Sequence, residues 1–200
     1  MSLRHSYTLF APIYDVMVAR ATEPMRRESL ARLEGDAGEQ VLIAGIGSGL
    51  DIPLLPKGPC YVGIDLTPAM LQKARRRAAG RSDIELREAD VMALPFPEGS
   101  FDTVIMHLIL AVVPNPERAL HEAARVLKPG GRILLLDKFL RPGQRAPLRR
   151  MLNVVTRHLA TRTDVVFEDV LKCCSALTVT NDIPMLAGGW FRRIELEKKE

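Results

Sequence analysis

The 200-residue chain predicts an α/β fold, a doubly wound and mostly parallel sheet of seven strands, with a helical N-terminal piece and an antiparallel C-terminal hairpin. Three observations predict it. Strand-like and helix-like segments alternate between residues 40 and 137, the pattern of parallel strands joined by helical crossovers. Arg132 to Asp137 is a nearly continuous apolar run, expected of a strand covered on both faces. A glycine-rich loop follows directly on the first strand, where open α/β sheets bind ligands.

Taken in order, residues 6–20 and 24–33 read as helical, and Gly35 and Gly38 mark a joint. Gln40 to Ala44 is a short apolar strand, and Tyr61 to Ile64 a second. Thr67 is placed to cap a helix that has Pro68 at its first position and Gly80 at its end. Ile84 to Arg87 and Asp102 to Met106 are the next strands. Asn115 and Pro116 open a helix that stops at Pro129-Gly130-Gly131, and Arg132 to Asp137 follows. Between about Leu177 and Glu197 lie two strands joined through Pro184 and Gly188-Gly189.

Composition narrows the class. Hydrophobic residues at 47% and charged residues at 26% are ordinary globular values and exclude a disordered chain. No apolar run is long enough to span a bilayer, since Val104 to Val113 contains His107 and ends at Pro114. Pro12 and Asp15 interrupt the apolar N-terminal stretch, which is not read as a secretory signal. Cys60, Cys173 and Cys174 lack metal-ligand spacing, so no metal and a reduced, cytoplasmic setting are expected. The net charge of +4 is uneven: residues 138–163 carry Lys138 and six arginines with no acid. Such a patch points to an anionic partner.

Gly45-Ile46-Gly47-Ser48-Gly49 opens after the first strand, and Asp65 ends the second. Glycines let backbone approach a ligand closely, and an acid at that place can accept from both ribose hydroxyls. A nucleoside-containing ligand is expected, not a dinucleotide, because Leu50 stands where the dinucleotide fingerprint has its third glycine. After the third strand, Asp90 is suited to an adenine amino group, with Val91 beside the ring.

With these, Leu94-Pro95-Phe96-Pro97-Glu98-Gly99-Ser100-Phe101-Asp102 and Arg125-Val126-Leu127-Lys128-Pro129-Gly130-Gly131 complete four blocks whose order and spacing resemble class I S-adenosylmethionine-dependent methyltransferases over residues 40–139. The resemblance implies a Rossmann-like core at residues 37–200, a helical lid at 1–36, and S-adenosylmethionine as cofactor. It assigns Gly45, Ile46, Gly47 and Gly49 to the methionine part, Asp65 to the ribose, Leu66 and Met70 to the adenine surroundings, and Asp90 and Val91 to the adenine. His107 takes the place facing substrate and cofactor together. One position departs: the family's acid two residues before the first glycine is Ile43 here. Either another group such as Asp51 substitutes, or cofactor affinity is weakened. Pro53 and Pro56 leave little room for the long helix that usually follows the loop.

Methyl transfer to nitrogen, oxygen or sulfur needs a lone pair and, for some acceptors, a base. His107, Tyr14 and Asp15 are the candidates, against the alternatives of a packed histidine, a core aromatic and a helix-orienting acid. Tyr7 to Asp15 resembles the opening of two subgroups, the bacterial phosphatidylethanolamine N-methyltransferases and the quinone-ring C-methyltransferases; Leu108 to Glu117 and the short length resemble the lipid enzymes more. The expected acceptor is therefore a lipid amine or small hydrophobic molecule, with a quinone or other C-, O- or S-acceptor, or a non-catalytic cofactor binder, as alternatives. Leu148, Met151, Leu152, Val155 and Leu159 form one helical face, with Arg149, Arg150 and Arg157 away from it. That helix either lies peripherally on an anionic inner-membrane surface or packs on the sheet. Nucleic acid is not expected, because residues 140–166 hold no aromatic to stack on bases.

Overall fold

A computed structural model describes residues 21–140, 165–185 and 190–200. Residues 21–30 form helix α1. The strands are β1 (Gln40–Ala44), β2 (Cys60–Asp65), β3 (Ile84–Glu88), β4 (Phe101–His107), β5 (Leu127–Lys138), β6 (Leu177–Pro184) and β7 (Phe191–Lys198). Between them lie α2 (Pro68–Arg77), α3 (Pro116–Val126) and α4 (Phe167–Lys172). All seven strands join one sheet in the order β3-β2-β1-β4-β5-β7-β6. The first five run parallel, and β7 enters antiparallel between β5 and β6.

Alternation along the strands explains the two helical layers. Leu42, Ala44, Val104, Met106, Ile133 and Leu135 face one side, where α3 and α4 pack with Leu120, Ala123, Phe167 and Val170. Val41, Ile43, Ile105 and Leu134 face the other, against Leu30 of α1 and Leu71 and Ala74 of α2. A period of two thus sends one strand's apolar residues into two separate cores.

Several local expectations shift. The N-terminal helix ends three residues earlier than the pattern suggests, with a turn at 31–32. Thr67 occupies the cap position of α2 but makes no side-chain cap bond; instead Asp65 Oδ1 accepts from Thr67 N at 2.8 Å and shapes that turn. Asn115 does cap α3, accepting from Arg118 N at 2.8 Å. The helix α3 stops at Val126, not at Pro129-Gly130-Gly131, because those three residues belong to β5 as an irregularity between its pairings with Phe101 and Thr103. The loop after β1 closes with a single 3₁₀ turn, Ile52–Leu54, in keeping with the prolines there. Helix α4 spans six residues, too short for a helical period to register in the sequence. The 6–20 helix and the 148–159 amphipathic face lie outside the described residues.

Candidate active site

The strand order reverses between β1 and β4, and a cleft opens beyond the carboxyl ends of the strands flanking that point. It holds a cavity of about 350 Å³. Of the residues singled out in the sequence, Gly45, Ile46, Gly47, Asp65, Leu66, Met70, Asp90, Val91 and His107 all line it. Gly49 does not. A Cβ there would stand 2.7 Å from Ile52 Cδ1 and 2.9 Å from the Ala74 Cα, so this glycine serves the packing of the loop against α2. Gly47 is different: at φ +55° a side chain would be strained, and it would project into open space. Bare backbone therefore faces the cleft. Tyr14 and Asp15 lie outside the described residues.

Each carboxylate has its own setting. Asp65 closes β2, where Oδ2 accepts from Gly47 N at 3.0 Å and ties the glycine loop to the neighbouring strand. Burial raises its pKa, and the amides of Thr67 and Gly47 offset that only in part. Asp90 Oδ1 accepts from Met92 N at 2.8 Å, folding the short turn after β3.

On the β4 side, α1, the glycine loop and β4 meet in one buried network. Asp51 Oδ2 accepts from His107 Nδ1 at 3.0 Å, and Asp51 Oδ1 from Arg26 Nη1 at 2.9 Å. Arg26 Nη1 also donates to the Leu50 carbonyl at 2.6 Å, and its Nε to Thr22 Oγ1 at 3.1 Å. His107 Nε2 lies 3.0 Å from Ser29 Oγ, itself fully buried. Burial opposes the Asp51 charge, but His107 and Arg26 together hold its carboxyl below the usual range. Ile43 is buried in the core on the α1–α2 side and does not line the cavity. The far wall is apolar, built by Ile109, Val112, Val113 and Pro114 after Leu108, which turns the chain at φ +57° and donates its amide to Leu136.

A methyltransferase domain family matches residues 42–135. A phosphatidylethanolamine N-methyltransferase of Cereibacter sphaeroides is 33% identical over 202 residues, covering 99% of this chain and 98% of that one. A demethylmenaquinone methyltransferase of Tropheryma whipplei (strain Twist) is 39% identical over 133 residues, 64% of this chain and 55% of that one. The chain belongs to the S-adenosylmethionine-dependent methyltransferases. Among solved structures, a geranyl diphosphate C-methyltransferase from Streptomyces coelicolor A3(2), bound to geranyl diphosphate and S-adenosyl-L-homocysteine, shares the fold at TM-score 0.69 and 18% identity, covering 88% of this chain and 77% of that one.

As a member of that family, the protein uses S-adenosylmethionine. The cleft suits that cofactor on its own chemistry: the bare Gly47 backbone, acids at the ends of β2 and after β3, and an apolar wall opposite. Arg26, Ser29 and the Ile109–Pro114 wall are what the sequence reading missed. Arg26 and Ser29 sit on a helix with no motif, and only their i, i+3 spacing on one face marks them as a pair. The wall lay in view as an apolar run ending at Pro114, without a sign that it faced the cleft.

Proposed function

We propose that the chain transfers a methyl group from S-adenosylmethionine to the amine of a phosphatidylethanolamine-type lipid. The observation that carries this is collinearity. The lipid methyltransferase matches over nearly its whole length and this chain's, whereas the chain spans about half of the demethylmenaquinone methyltransferase it matches. The apolar wall of the cleft supports an amphiphilic acceptor.

In this reading Asp65 accepts from the ribose hydroxyls, and Asp90 and Val91 hold the adenine with Leu66 and Met70. Gly45, Ile46 and Gly47 present backbone to the methionine part. Bound there, the cofactor supplies a methyl already activated on a sulfonium sulfur. The protein's share is then alignment and exclusion of water, worth about 7–11 kcal/mol in favourable cases. His107, at the end of β4, faces the acceptor side. Its Nδ1 is committed to Asp51, so Nε2 is the atom that receives a proton when Ser29 gives way. Tyr14 and Asp15 remain the lid's candidates for the same task. The reading places the protein in the cytoplasm, with peripheral contact at an anionic inner-membrane surface through residues 138–163.

The test follows labelled methyl from the cofactor into phosphatidylethanolamine vesicles and into a demethylated quinone. Label in the mono- and dimethylated lipid is expected. Label in the quinone alone sinks the lipid reading and makes ring C-methylation the better one.

A further inference from the structure

We propose that the buried Arg26–Asp51 ion pair receives the amino-acid end of the cofactor, Asp51 taking its ammonium and Arg26 its carboxylate. The inference rests on the cofactor's occupying this cleft, as argued above. An amino-acid end is a zwitterion, and a buried zwitterion needs an opposite charge at each pole. Among the described residues lining the cavity, Arg26 is the one arginine or lysine. The lining acids are Asp51, Asp65 and Asp90. Asp65 and Asp90 belong to β2 and the turn after β3, on one flank of the glycine loop. Arg26 and Asp51 are tied to His107 on the other flank, at β4. A ligand whose nucleoside occupies the β2–β3 flank extends its far end across β1 toward β4, where the pair lies.

The pair is built for a second pair of charges. Its side chains are 4% and 9% exposed, so little water competes for them. Each Asp51 oxygen accepts one hydrogen bond, from Arg26 Nη1 and from His107 Nδ1 respectively, and a carboxylate oxygen has room for two. An ammonium can therefore add without displacing either partner. The Leu50 carbonyl and Thr22 fix the guanidinium in advance. Asp51 stays ionised at neutral pH because Arg26 and His107 outweigh the cost of its burial. Ile43, turned into the core, brings no acid to the cleft. The acid this chain lacks on β1 has thus moved to the loop eight residues on, and its partner cation comes from α1.

The experiment compares S-adenosylhomocysteine with 5′-methylthioadenosine, which keeps the adenosine and lacks the amino-acid end, by titration calorimetry. Arg26→Gln and Asp51→Asn should each weaken S-adenosylhomocysteine at least tenfold and leave methylthioadenosine within twofold. Arg26→Lys keeps the charge and loses the planar fork, and should cost the first ligand three- to tenfold with the second unchanged; it decides the matter if the other two do not fold. Unchanged S-adenosylhomocysteine affinity, or equal losses for both ligands, overturns the assignment. Failure of the parent protein to bind either ligand overturns the cofactor's place in this cleft, and the assignment with it.

Discussion

Ile43 shows how one side chain's direction decides what a motif position can do. It lies on the strand that leads into the glycine loop, yet its side chain packs with Val41, Leu30, Leu71 and Ile105 at 1% exposure. An acid placed there would have no partner in that apolar layer, and an unpaired buried charge is costly. Ile43→Asp should therefore lower stability by about 3 kcal/mol or more and should not tighten S-adenosylhomocysteine binding. Urea unfolding with calorimetry measures both. A stable variant with stronger binding would mean that the strand end turns that side chain into the cleft. Asp51 is the contrasting case: it is also buried, but it has two cationic or hydrogen-bonding partners and stays charged.

At the scale of elements, β5 controls the wall of the cleft through one buried acid. Asp137 is fully buried, and its Oδ2 accepts from Ala111 N at 3.0 Å and its Oδ1 from Lys138 N at 2.7 Å. The first bond anchors the segment after β4 that carries Ile109, Val112 and Val113. Burial pushes its pKa up to about 6, against the pull of those two amides. The folded state thus holds this proton more tightly than the unfolded one does. Between the usual carboxylate range and about pH 6, this group makes stability fall as pH rises. Asp137→Asn removes that contribution. The parent should lose more stability than the variant between pH 4 and pH 7, measured as the difference in Tm. Parallel pH profiles would show that Asp137 does not titrate in that window.

Over the whole molecule, charge is segregated, and the described part accounts for little of it. Residues 138–163 carry seven basic side chains, Lys138 among the described residues and six arginines outside them. Among the described residues no helix is long and apolar enough to cross a membrane. The proposed lipid acceptor calls for reversible surface contact, at about 1 kcal/mol per basic residue near an anionic surface. The protein should co-sediment with vesicles in proportion to their anionic content and less so as salt rises. Arg149→Glu with Arg150→Glu should weaken that binding severalfold and leave S-adenosylhomocysteine affinity unchanged. No sedimentation of the parent at any composition would remove the membrane from the proposal.

The sheet, the glycine loop and the acids after β2 and β3 follow from the amino-acid order without any tertiary contact. These are local facts: strand periodicity, turn residues, and motif positions that lie one short loop apart. Gly47, Asp65 and Asp90 were legible because a parallel sheet brings the ends of its strands together whatever the helices do. The tertiary structure alone decided where Ile43 points, that Gly49 serves packing, and that Arg26, Asp51, Ser29 and His107 meet. The longest single bond in that network, Ser29 to His107, joins residues 78 positions apart. No period or spacing encodes such a meeting; it exists only because α1 packs on the sheet face that β1 and β4 share.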